Sequence, residues 1–351
     1  MKLFLSLGAA LTLFLSTSAS AQYYGIIVPA FDGPRPLGQN VSTNLYLQVW
    51  RTLRRAPYPN PQRLDFGSGI AQYTDGVFRP KTEQEITRYV VQNGTVQIVM
   101  WGEVRPLGNG VLVQAFLAAP SEAAHPAHNE VWTIRSGNSV VRLDLPRRTF
   151  TFAPVVLDRA LIQVLQSPDS MRMCRRPVQP CDGMDVGPDW NGVRQSGAWA
   201  EVVSNTSNET GFIYLPTLAR LPNDISDFAA ALLSYERGDF AQAARLFSRV
   251  ASRDASESST REDAAVLGAI ARLRAGDHGE DEFTRLEAQF PESLYLFQAA
   301  TMARLERALG STGSIRTSLR QSIFKRIRDN AELFESDDPW LKDMETILDR
   351  L

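Results

Sequence analysis

The chain has 351 residues, 44% of them hydrophobic and 9% aromatic, with a formal charge of −2. That length exceeds what one hydrophobic core usually supports, so two or three domains are expected. Charges of both signs, well mixed and close to balance, argue against a nucleic-acid footprint or a polybasic membrane patch.

Residues 1–21 have three zones: Lys2, a mostly apolar run from Leu3 to Leu15, then small residues ending at Ala19 and Ala21. This is the pattern of a secretory signal, and the run is shorter than the roughly 20 residues a membrane-spanning helix needs. Cleavage between Ala21 and Gln22 and a periplasmic address are expected. No cysteine lies near that point to carry a lipid. The chain's only cysteines are Cys174 and Cys181. In an oxidising compartment an even, closely spaced pair favours a disulfide. Zinc would need two further ligands, and no histidine lies within forty residues of either cysteine.

The mature chain opens with Tyr24-Gly-Ile-Ile-Val-Pro, a short buried strand stopped by proline. Leu45, Val49, Trp50 and Leu53 fall at helical spacing and predict a helix near 42–55. Thr82 with Glu85 three residues on is a capping box that starts a second helix. A hairpin follows, Val96–Trp101 and Val111–Leu117 about the turn Gly108-Asn109-Gly110. Further strands are expected at 130–135, 139–145 and 149–152, where Val141, Leu143 and Leu145 alternate with charged neighbours and imply one buried face. A helix over Arg159–Gln166 closes the region. The order strand, helix, helix, hairpin resembles the TolB amino-terminal-like domains of bacterial envelope proteins, whose members mostly act as docking modules. "VQIVMWGEVRPLGNGVLVQAFLAAP" carries the best part of that likeness. His125 and His128, with Glu122 or Glu130, are the one conceivable metal group. Pro126 between them blocks the spacing that would converge two imidazoles, so they are read as a polar surface loop and no metal or cofactor is expected.

From Cys174 to Leu218 the chain loses helical periodicity and gains glycine and tryptophan punctuation. Trp199, Val202, Gly211, Phe212 and Ile213 fill the pattern of the bacterial Src-homology-3-like barrel, which this stretch resembles, with Phe212 where a tryptophan is usual. The resemblance implies cell-wall glycan or peptide binding. In so small a barrel Trp199 and Phe212 are expected in the core, leaving Trp190 and Tyr214 as candidate ligand contacts. A barrel this size has little core, which gives a disulfide beside it a physical role.

Beyond Asn223 the pattern is helical. Ala231, Gly238, Phe240, Ala243 and Phe247 have the small–glycine–aromatic–alanine–aromatic spacing of a tetratricopeptide repeat, which this unit resembles. A second, degenerate copy uses Ala265, Gly268, Ala271, the turn Gly276-Asp277, Phe283, Leu286 and Phe290. The turn glycines lie 38 residues apart, and the polar linker 255–262 absorbs the excess over the usual period of about 34. Helices over 294–309, along Ile315, Leu319, Ile323 and Ile327, and from Pro339 onward complete six or seven helices. Such repeats imply a concave groove that holds extended segments of protein partners. Arg316, Arg320, Lys325, Arg326 and Arg328 on one helix read as a solvated face rather than an acidic-peptide site.

No catalytic signature stands out. A cysteine peptidase needs a free thiolate beside a histidine, a zinc peptidase several histidines, and a serine hydrolase a G-x-S-x-G elbow that does not occur. Paired carboxylates for glycan cleavage stay open, since 39 acids can place two of them within about 5–10 Å. The expected organisation is therefore an α+β, multi-domain exported chain. It comprises a signal peptide (1–21), a TolB-N-like mixed α/β domain (22–167), a small β-barrel (168–218) and an all-α helical-hairpin array (219–351). The expected function is a non-catalytic periplasmic adaptor that grips proteins with its helices and, through its barrel, protein or wall. Peptidoglycan binding as the main task is the alternative, and a wall hydrolase with unrecognised acids a third.

Overall fold

The computed structural model describes residues 25–54, 71–92, 96–119, 130–167, 172–184, 190–204, 206–217, 219, 221, 224–236, 238–253, 257–277, 280–335 and 337–351. Residues 1–21, Glu122, His125, His128 and His278 lie outside them.

Strand β1 (Gly25–Ala30) sits at the centre of a mixed sheet, parallel to β2 (Ala71–Val77) on one side and to β3 (Val96–Leu107) on the other. A two-residue turn at Gly108 and Asn109, with Gly108 in the left-handed region that favours glycine, leads from β3 into β4 (Gly110–Ala118). Between β1 and β2 runs α1 (Leu37–Arg54), which starts five residues before its apolar periodicity announced it. Its apolar side chains from Leu37 to Leu53 are buried on one face of the sheet, among them Tyr46 and Trp50. Helix α2 (Glu83–Gln92) covers the opposite face, where Ile86 joins Ile27, Val99, Trp101 and Ala118 in a second, smaller cluster. The capping box forms as expected. Glu85 N–H donates to Thr82 Oγ1 at 3.3 Å and Thr82 N–H donates back to the Glu85 carboxylate at 3.2 Å. These backbone donors, first that of Lys81 and then that of Thr82, hold the Glu85 carboxyl below its ordinary pKa.

Two excursions leave this sheet. The first is a hairpin of β5 (Glu130–Ser136) and β6 (Ser139–Asp144), a two-stranded sheet of its own. The chain then returns to the main sheet as β7 (Thr149–Thr151) and β8 (Val155–Leu157), both paired with β4, and closes with α3 (Arg159–Gln166), capped by Asp158. The second excursion carries β9 (Met173–Cys174), β10 (Trp190–Ser196), β11 (Trp199–Ser204) and β12 (Thr210–Tyr214).

These last strands differ from the expected free-standing barrel. Among the described residues they continue the first sheet, in the order β7-β4-β3-β1-β2-β10-β11-β12-β9, through antiparallel pairing of β10 with β2. The reason is physical: a barrel of some 45 residues buries too little apolar surface to stand on its own. Joining the larger sheet lets Trp190, Ala200, Val202 and Ile213 share the core under α1. Gly192 is required at that junction, because a Cβ there would lie 2.6 Å from the Trp50 indole nitrogen.

The rest is helical: α4 (Ile225–Glu236), α5 (Phe240–Ala251), α6 (Ser258–Arg274), α7 (Glu280–Gln289), α8 (Leu294–Gly310), α9 (Gly313–Arg328) and α10 (Pro339–Leu348). The fold class is thus mixed α+β with its helices mostly in the carboxy-terminal half. Among the described residues no helix is long and apolar enough to cross a membrane. One hydrophobic cluster runs from Ile26 to Leu348 through both halves.

Candidate functional site

Helices α4 and α5 pack as a hairpin because of a few local residues. Gly238 has φ +75° and its N–H donates to the Tyr235 carbonyl, while Asp239 N–H reaches back to Ser234. That bond pattern is a Schellman stop, and the Asp239 side chain then caps α5 through Gln242 N–H. The same geometry recurs at Gly276, with φ +92° and bonds from Gly276 to Leu273 and from Asp277 to Arg272. Small residues set the approach of the next helix: the Cβ position of Gly268 is 3.3 Å from the Phe247 Cβ. Ala231, Ala243 and Phe247 are fully buried and Phe240 is half-buried against Tyr235, while Gly238 sits in the open turn between the two helices.

Alternate helices of this array meet the β5–β6 hairpin and the chain just after it. On α4, the Tyr235 hydroxyl donates to the carbonyl of Val131 in β5. On α6, Asp263 pairs with Arg147 at 2.7 Å and Thr260 donates to the Thr151 carbonyl at 2.7 Å. On α8, Tyr295 lies within electrostatic reach of Tyr235, Asp263 and Asp144. Helix α10 packs along β6, and the Arg350 guanidinium beyond its end comes within 3.7 Å of the Cβ position of Gly137 in the hairpin turn. The hairpin offers Trp132, Ile134, Val141 and Leu143, all buried, on its inward face. The β5–β6 hairpin is thus held against the helical half by Tyr235 of α4 and by α10.

The electrostatics of this seam are unfavourable to charge. Burial pushes the Asp263 carboxyl up to about 6, with the Arg147 guanidinium opposing that shift only in part. Burial likewise raises the Tyr235 and Tyr295 hydroxyls above their ordinary value, so both stay neutral. Trp132 Nε1, Thr133 Oγ1, Tyr295 Oη and Trp340 Nε1 are buried and find no hydrogen-bond partner among the described residues. The alternation of β5 and β6 predicted a buried face but gave no sign of what covers it. Tyr235, Asp263 and Tyr295 were passed over because a lone polar residue in an apolar helix carries no pattern.

The basic residues of α9 are mostly not a solvated face, which corrects the sequence reading. Arg316 donates to the Ser311 carbonyl at 2.8 Å, just past the end of α8. Arg320 donates to the Leu348 carbonyl at 2.6 Å, at the end of α10. Arg326 pairs with Glu287, donates to Thr301 Oγ1 at 2.9 Å and lies 4.2 Å from the centroid of the Phe297 ring. Three cations thus satisfy helix-end carbonyls or an internal carboxylate, and only Lys325 and Arg328 are exposed.

The two candidate ligand contacts separate. Trp190, 2% exposed, meets Tyr46 edge-on at 5.0 Å inside the core, so its ring cannot face a ligand. It was read as exposed because the strand was placed in a small barrel rather than mid-sheet. Tyr214 is half-buried and tilted against Trp199 at 4.9 Å. Trp199 and Phe212, expected in the core, share that half-exposed outer side of β11 and β12. Cys174 and Cys181 form a disulfide that closes a loop against β9, the last strand of the sheet, where Arg175 N–H also donates to Asp182 at 2.9 Å. Glu130 opens β5, while the histidines of its metal reading are outside the described residues. No group of three His, Cys, Asp or Glu able to hold a metal occurs among the described residues. A cavity of about 10 Å³ between the sheet, α1 and α4 is lined by Leu45, Val113, Phe152 and Ile225 and is smaller than a substrate requires.

No family model, curated protein or solved structure matches the chain.

Proposed function

We infer that the protein is an exported, non-catalytic adaptor of the cell envelope that binds protein partners through its helical array. The observation that carries this reading is the series of paired helices, two of its turns closed by the same Gly–Asp bond pattern, with α4 and α6 bonding to β5 and to the chain just after β6. Its signature resembles tetratricopeptide repeats, whose business is holding such segments. The disulfide supports export, since such bonds persist in oxidising compartments. Crosslinking in the native envelope tests the reading: recovery of defined proteins attached to α4–α10 supports it, and recovery of none opposes it.

A second reading has its own observation. The half-exposed Trp199–Tyr214 pair, with Phe212 beside it, gives the outer side of β11 and β12 an aromatic strip suited to stacking on a sugar ring. Sedimentation of the purified chain with cell-wall sacculi, abolished by Tyr214→Ala, would favour wall binding over the adaptor.

A further inference from the structure

We propose that the β5–β6 hairpin is a displaceable resident ligand of the helical array, occupying the surface that a partner segment of the same chemistry takes over. The inference rests on the adaptor reading and specifies its mode of binding.

Topology makes the hairpin separable. It leaves the main sheet after β4 and returns at β7, and β4 and β7 pair with each other, Phe116 opposite Thr151 and Leu117 opposite Phe150. The ladder is therefore closed behind the hairpin, and its departure breaks no pairing of the ten-stranded sheet. Within the hairpin, β5 and β6 pair only with each other among the described residues. A two-stranded ribbon of that kind owes its order to what it packs on.

The seat is specific. Tyr235 of α4 donates to a backbone carbonyl of β5, α6 pairs through Asp263 with Arg147, and α10 packs along β6. First and last helices of the array thus both touch the segment. The fit is also incomplete in a directional way. Tyr295 Oη on the array, within electrostatic reach of Asp144 in β6, and Trp132 Nε1 on the hairpin are buried donors with no acceptor among the described residues. Asp263 holds its charge in a site that disfavours it. Apolar contact secures the hairpin while these polar groups oppose it. An incoming segment that repeats the apolar alternation and places a carbonyl oxygen opposite Tyr295 gains what the resident forgoes. The partner is thus an extended peptide segment bearing a large aromatic and alternating aliphatic residues, followed by a cation for Asp263.

The test adds a fluorescently labelled peptide of residues 130–148 to the full chain and follows anisotropy. The tethered hairpin competes at high local concentration, so the unmodified chain binds the peptide weakly. Trp132→Ala weakens only the resident segment and leaves the array unchanged. It should bind the peptide at least about ten-fold tighter, the resident no longer holding most of the population in the occupied form. Adding Tyr235→Phe to that variant should lower the affinity again by removing the bond to the Val131 carbonyl. Leu143→Ala serves as a milder hairpin-weakened variant. Equal or absent binding by folded variants, or failure of both to fold, overturns the proposal, since the hairpin would then be fixed core. If such a chain still crosslinks to envelope proteins, the adaptor reading survives and only the displacement mode is lost.

Discussion

The Tyr235 hydroxyl on α4 donates to the Val131 carbonyl on β5, 104 residues earlier in the chain. This bond joins the sheet-bearing half to the first helix of the array at a point shielded from water. A carbonyl left there without its donor costs the desolvation of that group, on the order of 1–3 kcal/mol. Tyr235→Phe should lose about that much in chemical denaturation while the ring keeps its packing on Phe240, their centroids 5.0 Å apart. An unchanged midpoint would show the hydroxyl solvated instead.

Asp263 gives a prediction whose sign runs against the habit of counting salt bridges. Its folded pKa, raised to about 6, exceeds the unfolded value of 3.8, so the folded chain binds the proton more tightly. The contribution of this group therefore favours folding most at low pH and is lost as pH rises through about 6, amounting to at most about 3 kcal/mol of penalty at neutrality. Asp263→Asn, which keeps the shape without the charge, should be at least as stable as the natural chain at pH 7. Its advantage should shrink as pH falls toward 5. Denaturant midpoints at the two pH values measure this. A variant less stable at pH 7 would mean that the pair with Arg147 outweighs burial.

Gly192 lies at a close approach between β10 and Trp50 of α1. An added methyl would meet the Trp50 ring with its nearest atom at 2.6 Å, a contact that a buried indole cannot yield cheaply. Gly192→Ala should cost about 1–3 kcal/mol as an overpacked core. Gly197→Ser, in an open turn with nothing near the added atom, should cost less and only through its φ of +56°. Thermal unfolding of the two variants compares core crowding with turn strain.

The loop closed by Cys174 and Cys181 spans seven residue steps. In the chain-entropy account such a closure contributes roughly 2.5 kcal/mol. Reductant, or Cys174→Ser with Cys181→Ser, should lower the melting temperature while leaving the array's helical signal at moderate temperature. The loop packs on the terminal strand β9, so its release should first show as increased proteolysis near residues 172–184.

On α9, Arg326→Ala should destabilise by about 1–2 kcal/mol, because Thr301 and the Phe297 ring lose the guanidinium packed on them and Glu287 keeps only Arg304, at 3.7 Å. Lys325→Ala, an exposed neighbour, should be within about 0.5 kcal/mol of neutral. Equal effects would restore the picture of a uniformly solvated face.

The helical half was legible because its signals are local. Small residues, Gly–Asp stops and apolar residues three and four apart lie within one or two turns, and α8, α9 and α10 begin and end near where they were read. Strand β2, "AQYTDGV", went unrecognised: it has no apolar alternation, and its place is set by pairing with β1 and β10 far away in sequence. The same non-locality hid Trp190, whose strand looks alike at an edge or mid-sheet, and the arginines of α9, whose acceptors belong to other helices. Alternation told that one face of β5 and β6 is buried but could not say that helices cover it.

Native-state hydrogen exchange at the amides of β5 and β6 tests the central claim most directly. A displaceable occupant predicts protection in residues 130–144 that is lost through an opening less costly than global unfolding, while α4–α6 stay protected. Exchange of the hairpin only together with those helices, in one cooperative unit, would contradict it.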